Sequence, residues 1–140
     1  MSEMVTEAER TVQASTEYLE EIVEFINEQL ILAKCSSKIR MQIDIAVDEV
    51  FSNIAQYAYK DGEGTVTVRI RTENKAAILN FMDSGIPFNP LHVKNPDLLL
   101  SAKDRQEGGL GIFLVKKYMD EATYAYKQGQ NILTLKKYFL

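Results

Sequence analysis

An α+β sandwich, with helices on one face of a largely antiparallel mixed sheet, is predicted by three observations. Two stretches of helical apolar spacing come first in the chain. Two pairs of strand-like segments follow, each joined by a short polar turn. A long irregular segment and one further helical stretch separate the pairs. All 140 residues are expected to form one domain, long enough to bury a core without disulfides.

The elements are justified in order. Residues 5–14 are short and mixed and read as an edge strand. Ser15 or Thr16 can cap a first helix, and Glu17 places a carboxylate in its first turn. Leu19, Ile22, Val23, Ile26, Leu30 and Ala33 then recur at helical spacing. Ser36 or Ser37 can cap a second helix that runs to about Tyr59. Its apolar stripe is Ile43, Val47 (or Ala46), Val50, Ile54 and Ala58. Gln42, Glu49, Asn53, Gln56 and Lys60 form a polar stripe on another face. Asp61-Gly62-Glu63-Gly64 is a turn. Thr65 to Arg71 alternates with period two and pairs, across Glu73-Asn74-Lys75, with Ala76 to Met82. Residues 83–111 hold all three prolines and four of the seven glycines, a length of irregular chain that usually carries function. Leu110 to Met119 is helical in pattern. Ala122–Tyr126 and Ile132–Leu135 make the second strand pair around a turn at residues 128–131.

Composition excludes several classes. Net charge is -4 and no Lys/Arg run stands out, so nucleic-acid binding is disfavoured. Cys35 is the only cysteine and His92 the only histidine. A His/Cys metal site and a Cys–His nucleophile are therefore not expected. The absence of an internal disulfide fits a reducing compartment. Met1-Ser2-Glu3-Met4 is acidic and lacks the apolar core of a secretory signal, and no apolar run is long enough to span a bilayer. A cytoplasmic protein without membrane contact is expected.

Three motifs can carry chemistry, and each has a bland alternative. Glu49 and Asn53, four residues apart, share one face of the second helix; on the helix alone this is a solvated surface. Asp83-Ser84-Gly85 follows a strand and reads as an ordinary Asx turn. It can equally present a carboxylate to an exocyclic amine, with Gly85 letting the backbone lie close to a flat ring. Gly108-Gly109-Leu110-Gly111 opens a helix. It is either a hinge or a cradle of backbone N–H groups for phosphate, and it is not a Walker A loop because no Gly-Lys-Ser/Thr follows.

Taken in order, Glu-x-x-x-Asn, Asp-x-Gly and Gly-Gly-x-Gly resemble the N, G1 and G2 boxes of the GHKL (Bergerat-fold) ATPases. Within that superfamily, Ala46–Glu49 with Ser52–Lys60, and Gly108–Val115 with Met119-Asp120, resemble the anti-sigma-factor serine kinases. Tyr57 stands where that family commonly has histidine, and Ile54 where it commonly has alanine. Ile86-Pro87-Phe88-Asn89-Pro90 follows the G1 glycine in place of a second glycine.

The resemblance implies a Bergerat fold and an ATP- and Mg²⁺-dependent protein serine/threonine kinase. Asn53 would ligate Mg²⁺, Asp83 would hold the adenine amine and Gly85 would line the ring. Gly108, Gly109, Leu110 and Gly111 would form the phosphate cradle, and Glu49 would accept the hydroxyl proton of the substrate serine. Residues 89–107 would form an ATP lid, from which Lys103 or Arg105 can reach the γ-phosphate, although solvation is the commoner fate of such side chains. The implied partners are an anti-anti-sigma protein as substrate, a sigma factor held inactive, and a second copy in a homodimer. The rival readings are a nucleotide-responsive binding module without phosphotransfer and an interaction domain that has lost nucleotide binding.

Overall fold

The computed structural model describes residues 5–60, 63–92 and 109–139. Asp61 and Gly62 of the expected turn, most of the expected lid with Lys103 and Arg105, and Gly108 of the glycine motif lie outside the described residues. The elements are β1 (Thr6–Gln13), α1 (Leu19–Leu32), α2 (Ser37–Tyr57), β2 (Thr65–Glu73), β3 (Ala76–Asp83), α3 (Gly109–Tyr118), β4 (Glu121–Lys127) and β5 (Gln130–Tyr138). Short 3-10 turns lie at Thr16–Tyr18 and Pro90–His92.

The helix starts follow the capping residues. Ser15 Oγ accepts from the Glu17 N–H at 3.4 Å, and Ser36 Oγ accepts from the Ile39 N–H at 3.3 Å. α2 ends at Tyr57, two residues short of the expected end. Tyr59 leaves the helical path because its hydroxyl is tied elsewhere: it donates to the Thr65 carbonyl at 2.6 Å and accepts from the Ser84 N–H at 2.8 Å. Gly64 makes room for that ring, since a Cβ there would fall 2.3 Å from it.

Both hairpins close through two-residue turns. Asn74 and Lys75 (φ 51° and 57°), then Gln128 and Gly129 (φ 53° and 78°), are all left-handed. Such type I′ geometry matches the right-handed twist of paired strands. The second turn is shorter than the sequence suggested. Asn131 lies inside β5, buried and paired with Tyr126, rather than in the turn.

The sheet order is β1-β2-β3-β5-β4. All four pairings are antiparallel, so the mixed character expected of the sheet is not seen among the described residues. β1 is an edge strand, as expected. Strand alternation sends Val66, Val68 and Ile70 of β2, Leu79 and Phe81 of β3, and Leu133 and Leu135 of β5 to one face. There they meet Ile22, Ile26 and Leu30 of α1, Ile43, Val47, Val50 and Phe51 of α2, and Ile112 and Val115 of α3 in one core. The opposite face carries Thr11–Thr67 and Asn80–Thr134 hydrogen-bonded pairs and the Glu9–Arg69 ion pair. Removing a fully buried ring such as Phe51 from such a core costs about 3–5 kcal/mol.

The polar stripe of α2 divides along its length. Gln56 and Lys60 are exposed, whereas Gln42, Glu49 and Asn53 are half-buried. The solvated-face reading therefore does not describe Glu49 and Asn53, because α3 packs along α2 beside them.

Candidate functional site

A cavity of about 450 Å³ lies among α2, β3, β5, the start of α3 and residues 86–90. Its volume is within the usual range for small-molecule sites. Ile54, Phe81, Ile112 and Leu133 give it apolar walls, and Tyr57, Ile86 and Phe88 are exposed along its rim. Three polar side chains converge on it: Asn53, Asp83 and Asn131.

Asp83 is delivered by strand alternation. It continues the Ala77, Leu79, Phe81 series of β3 and is buried with it, as a carboxylate at a core position. Its Oδ1 accepts from the Gly85 N–H at 2.9 Å and from Asn131 Nδ2 at 2.9 Å. Oδ2 makes no hydrogen bond among the described residues and is left as an acceptor toward the cavity. The Asx turn thus uses one oxygen of the carboxylate and leaves the other open to the cavity.

Gly85 does not line the cavity. Its missing side chain is required by α2: a Cβ there would lie 2.2 Å from the Ala58 carbonyl oxygen, to which the Ile86 N–H donates at 2.9 Å. That contact fixes the loop after β3 to the end of α2.

At the other end, Asn53 and Glu49 stand one turn apart on α2. Ser52 Oγ donates to Asp48 Oδ1 at 3.2 Å, which orients Asp48 along the helix surface. Glu49 points instead to the first turn of α3, where a Cβ on Gly111 would fall 2.4 Å from its Oε2. Burial, and secondly the charge of Asp48, pushes the Glu49 carboxyl above its ordinary value. A carboxylate raised in this way is a stronger proton acceptor than a solvated one. Gly109 and Gly111 sit in that first turn, where backbone N–H groups lack helical partners. Lys116 and Lys117 lie in the last turn of α3, the end at which the helix dipole favours cations.

The remaining reactive groups are elsewhere. Cys35 is buried and free, and burial raises its thiol, which makes it unreactive. His92 is exposed in the turn after Pro90. Among the described residues, no group of three or more His, Cys, Asp or Glu side chains is arranged to hold a metal. No helix there is long and apolar enough to cross a membrane.

Two residues of this site were not singled out from the sequence. Asn131 falls within the expected turn at residues 128–131, although its phase with Leu133 and Leu135 marks a polar residue at a core position. Tyr59 falls at the expected end of the second helix, and its hydroxyl contacts have no local signal.

The chain is similar to known proteins across this architecture. Serine/threonine-protein kinase BtrW of Bordetella bronchiseptica is 29% identical over 101 residues, 71% of each chain. Serine-protein kinase RsbW of Bacillus mycoides is 28% identical over 96 residues, 66% of this chain and 60% of that one. This chain therefore spans less than two thirds of the RsbW relatives it matches. In structure, the RsbU and RsbW domains of Rv1364c from Mycobacterium tuberculosis share the fold at a TM-score of 0.66 and 15% identity, covering 95% of this chain and 32% of that one. The Acinetobacter baumannii histidine kinase AdeS does so at 0.53 and 15%, covering 94% and 68%. The family model described as the histidine kinase-like ATPase domain matches residues 12–137. With that match over nearly the whole chain, on the fold and motif order that the sequence implied, the chain belongs to the histidine kinase-like ATPase domain family.

Proposed function

We propose that residues 1–140 act as a single ATP- and Mg²⁺-dependent protein serine/threonine kinase domain that serves as a cytoplasmic anti-sigma factor. It phosphorylates a serine (or threonine) of an anti-anti-sigma partner and holds a sigma factor inactive, as a homodimer. The observation that carries the proposal is the arrangement of one cavity. A carboxylate with a free acceptor edge lies at one end, and an amide lies at the other, one helical turn from a raised carboxylate that faces a glycine-opened helix. The serine-kinase names of the BtrW and RsbW relatives support the reaction class.

The residues present fit a nucleotide. Asp83 Oδ2 accepts from an exocyclic amine, and Ile54, Phe81 and Leu133 enclose the ring. Gly109, Leu110 and Gly111, with Gly108 before them, offer backbone N–H groups to phosphate oxygens. Gly85 holds the loop that follows Asp83 against the end of α2. Asn53 supplies one neutral oxygen for Mg²⁺, an ion that takes few protein ligands and completes its shell with phosphates and water. Bound there, Mg²⁺ offsets charge that develops on the transferred phosphoryl group. Glu49 takes the proton of the substrate hydroxyl.

Incubation of the protein with Mg-ATP and a candidate anti-anti-sigma protein, read by intact mass, tests the proposal. One added phosphate on the partner, lost in Glu49→Ala, is expected. ATP binding with an unmodified partner would leave a nucleotide-responsive binding module. A melting temperature that ignores Mg-ATP would leave an interaction domain without nucleotide binding.

A further inference from the structure

The helix layer has an outer face that neither the cavity nor the core uses. α1 and α2 pack side by side, joined by the short connection at residues 33–36. Asn27 marks where their outer surfaces meet. Its Nδ2 donates across the groove to Asp44 Oδ1 at 2.7 Å and along α1 to the Val23 carbonyl at 2.9 Å. Helical spacing sets the rest of the face. On α1, Glu24 and Ile31 stand one turn to either side of Asn27, and Glu20 one turn beyond Glu24. On α2, Met41 and Asp48 flank Asp44 in the same way. The helices run antiparallel, so Glu20 and Glu24 share one end of the groove with Asp48, and Ile31 shares the other with Met41.

The fold accounts for neither the charge of this face nor its apolar end. Glu20, Glu24 and Asp48 are exposed and Asp44 is half-buried. The ion pairs among the described residues are Arg10–Glu21, Glu9–Arg69 and Arg71–Glu73, and none includes these four carboxylates. α1 contains no Lys or Arg. Glu20 with Glu24, and Asp44 with Asp48, are like charges four residues apart, a spacing that weakens a helix. Burial pushes the Asp44 carboxyl above its ordinary value, and the Asn27 hydrogen bond and the Arg40 charge offset this only in part. Ile31 and Met41 are 56% and 58% exposed, the two most exposed large hydrophobic side chains among the described residues.

We propose that this face docks a cationic amphipathic helix of a partner protein, with its Lys or Arg side chains against Glu20, Glu24, Asp44 and Asp48 and an apolar side chain between Ile31 and Met41. Charge complementarity selects the occupant. Four unpaired carboxylates repel nucleic acid and an anionic membrane, and a second copy of the face brings the same charge. A cation that reaches Asp44 pairs with a half-buried carboxylate, where salt screens the attraction least. The inference goes beyond the proposed function and does not depend on it. Asp44 faces α1, whereas Glu49 faces α3 on the other side of α2, so the face serves a kinase and a binding module alike.

The test titrates the full, isotope-labelled chain with two synthetic peptides. One has leucine and lysine at amphipathic helical spacing, and the other has glutamate for every lysine. The lysine peptide should move amide chemical shifts along α1 and residues 41–48, and the glutamate peptide should not. Glu20→Lys with Glu24→Lys should weaken the lysine peptide by about 10-fold, because each reversal exchanges a modest attraction for a repulsion. Glu7→Lys with Glu63→Lys makes the same change of net charge at exposed positions off the face, and should weaken it by less than about twofold. Ile31→Ser with Met41→Ser should weaken it by about 10-fold with no change of charge, and carries the test if the Glu20 and Glu24 variant does not fold. Shifts centred elsewhere, equal losses in the two charge variants, or a wild type that ignores the lysine peptide each overturn the docking face. None of these results bears on the nucleotide reading.

Discussion

At the base end of the cavity, Asp83, Asn131, Tyr124 and residues 84–88 are joined by a closed set of hydrogen bonds. At the α3 end, Asn53 makes no side-chain hydrogen bond among the described residues, and Glu49 faces the glycine-opened turn of α3. One end is finished before any ligand arrives. The other presents groups whose partners, under the proposed function, are phosphate, metal and a hydroxyl. The difference teaches where recognition and chemistry would separate under the proposed function: preorganised donors and acceptors select, while the α3 end is completed by what it binds.

The largest expected effect comes from breaking the finished end. Asp83→Asn keeps the size; its amide oxygen takes the place of Oδ1 against the Gly85 N–H and Asn131 Nδ2, so its NH2 replaces the acceptor that Oδ2 offers to the cavity. Mg-ATP affinity should fall by roughly 10- to 100-fold, the worth of one charge-assisted hydrogen bond, in isothermal titration. A variant that binds as well as the wild type would remove Asp83 from base recognition.

Next comes Gly111→Ala, which acts on the other end. A new methyl at 2.4 Å from Glu49 Oε2 must displace that carboxylate. The helix itself gains about 1 kcal/mol from replacing glycine by alanine. The variant should therefore melt no lower than the wild type while phosphotransfer drops by about 10-fold, a typical share for one misplaced acid–base group. Loss of stability with intact transfer would show that Glu49 is not where the chemistry lies.

Glu49 also yields a pH dependence with a definite sign. Its carboxyl is raised above the ordinary 4.5, chiefly by burial, so the folded chain favours the protonated form more than the unfolded chain does. The associated stability is complete below the unfolded value and is lost as pH rises through the folded one. Glu49→Gln, always neutral, should be the more stable protein at neutral pH, and the advantage should shrink as pH falls toward 4.5 in thermal melts. In the wild type, the acidic limb of the transfer rate should lie above that same value.

Much of this was legible in the sequence, for reasons tied to local signals. The period-two runs and their polar turns located both hairpins, and Ser36 located the start of α2. The strand pattern that ends at Met82 located Asp83 at the entry to a glycine turn, one residue short of its place inside β3. The parts that were not legible depend on contacts distant in sequence. Asn131 bonds a residue 48 positions away. The close approach of Gly85 to the Ala58 carbonyl, 27 positions earlier in the chain, has no local signal. The half-burial of Glu49 and Asn53 depends on α3 packing against α2, which no pattern within α2 reveals.

Tyr59 sharpens the comparison at its smallest scale. Its hydroxyl touches the loop that carries the base end, through the Ser84 N–H, yet its other bond goes to the start of β2. Both bonds lie near the surface, where water can replace them, so Tyr59→Phe should cost only about 0.5–1.5 kcal/mol. That corresponds to a melting temperature lower by about 2–6 °C. Asp83 should keep its orientation in the variant, because Gly85 and Asn131 hold it independently of Tyr59. Affinity for Mg-ATP should therefore change by less than about twofold, below the worth of one neutral hydrogen bond. A larger loss of affinity than of stability would extend the finished end of the cavity outward to Tyr59, and would make the loop after β3, rather than Asn131 alone, the element that holds the base.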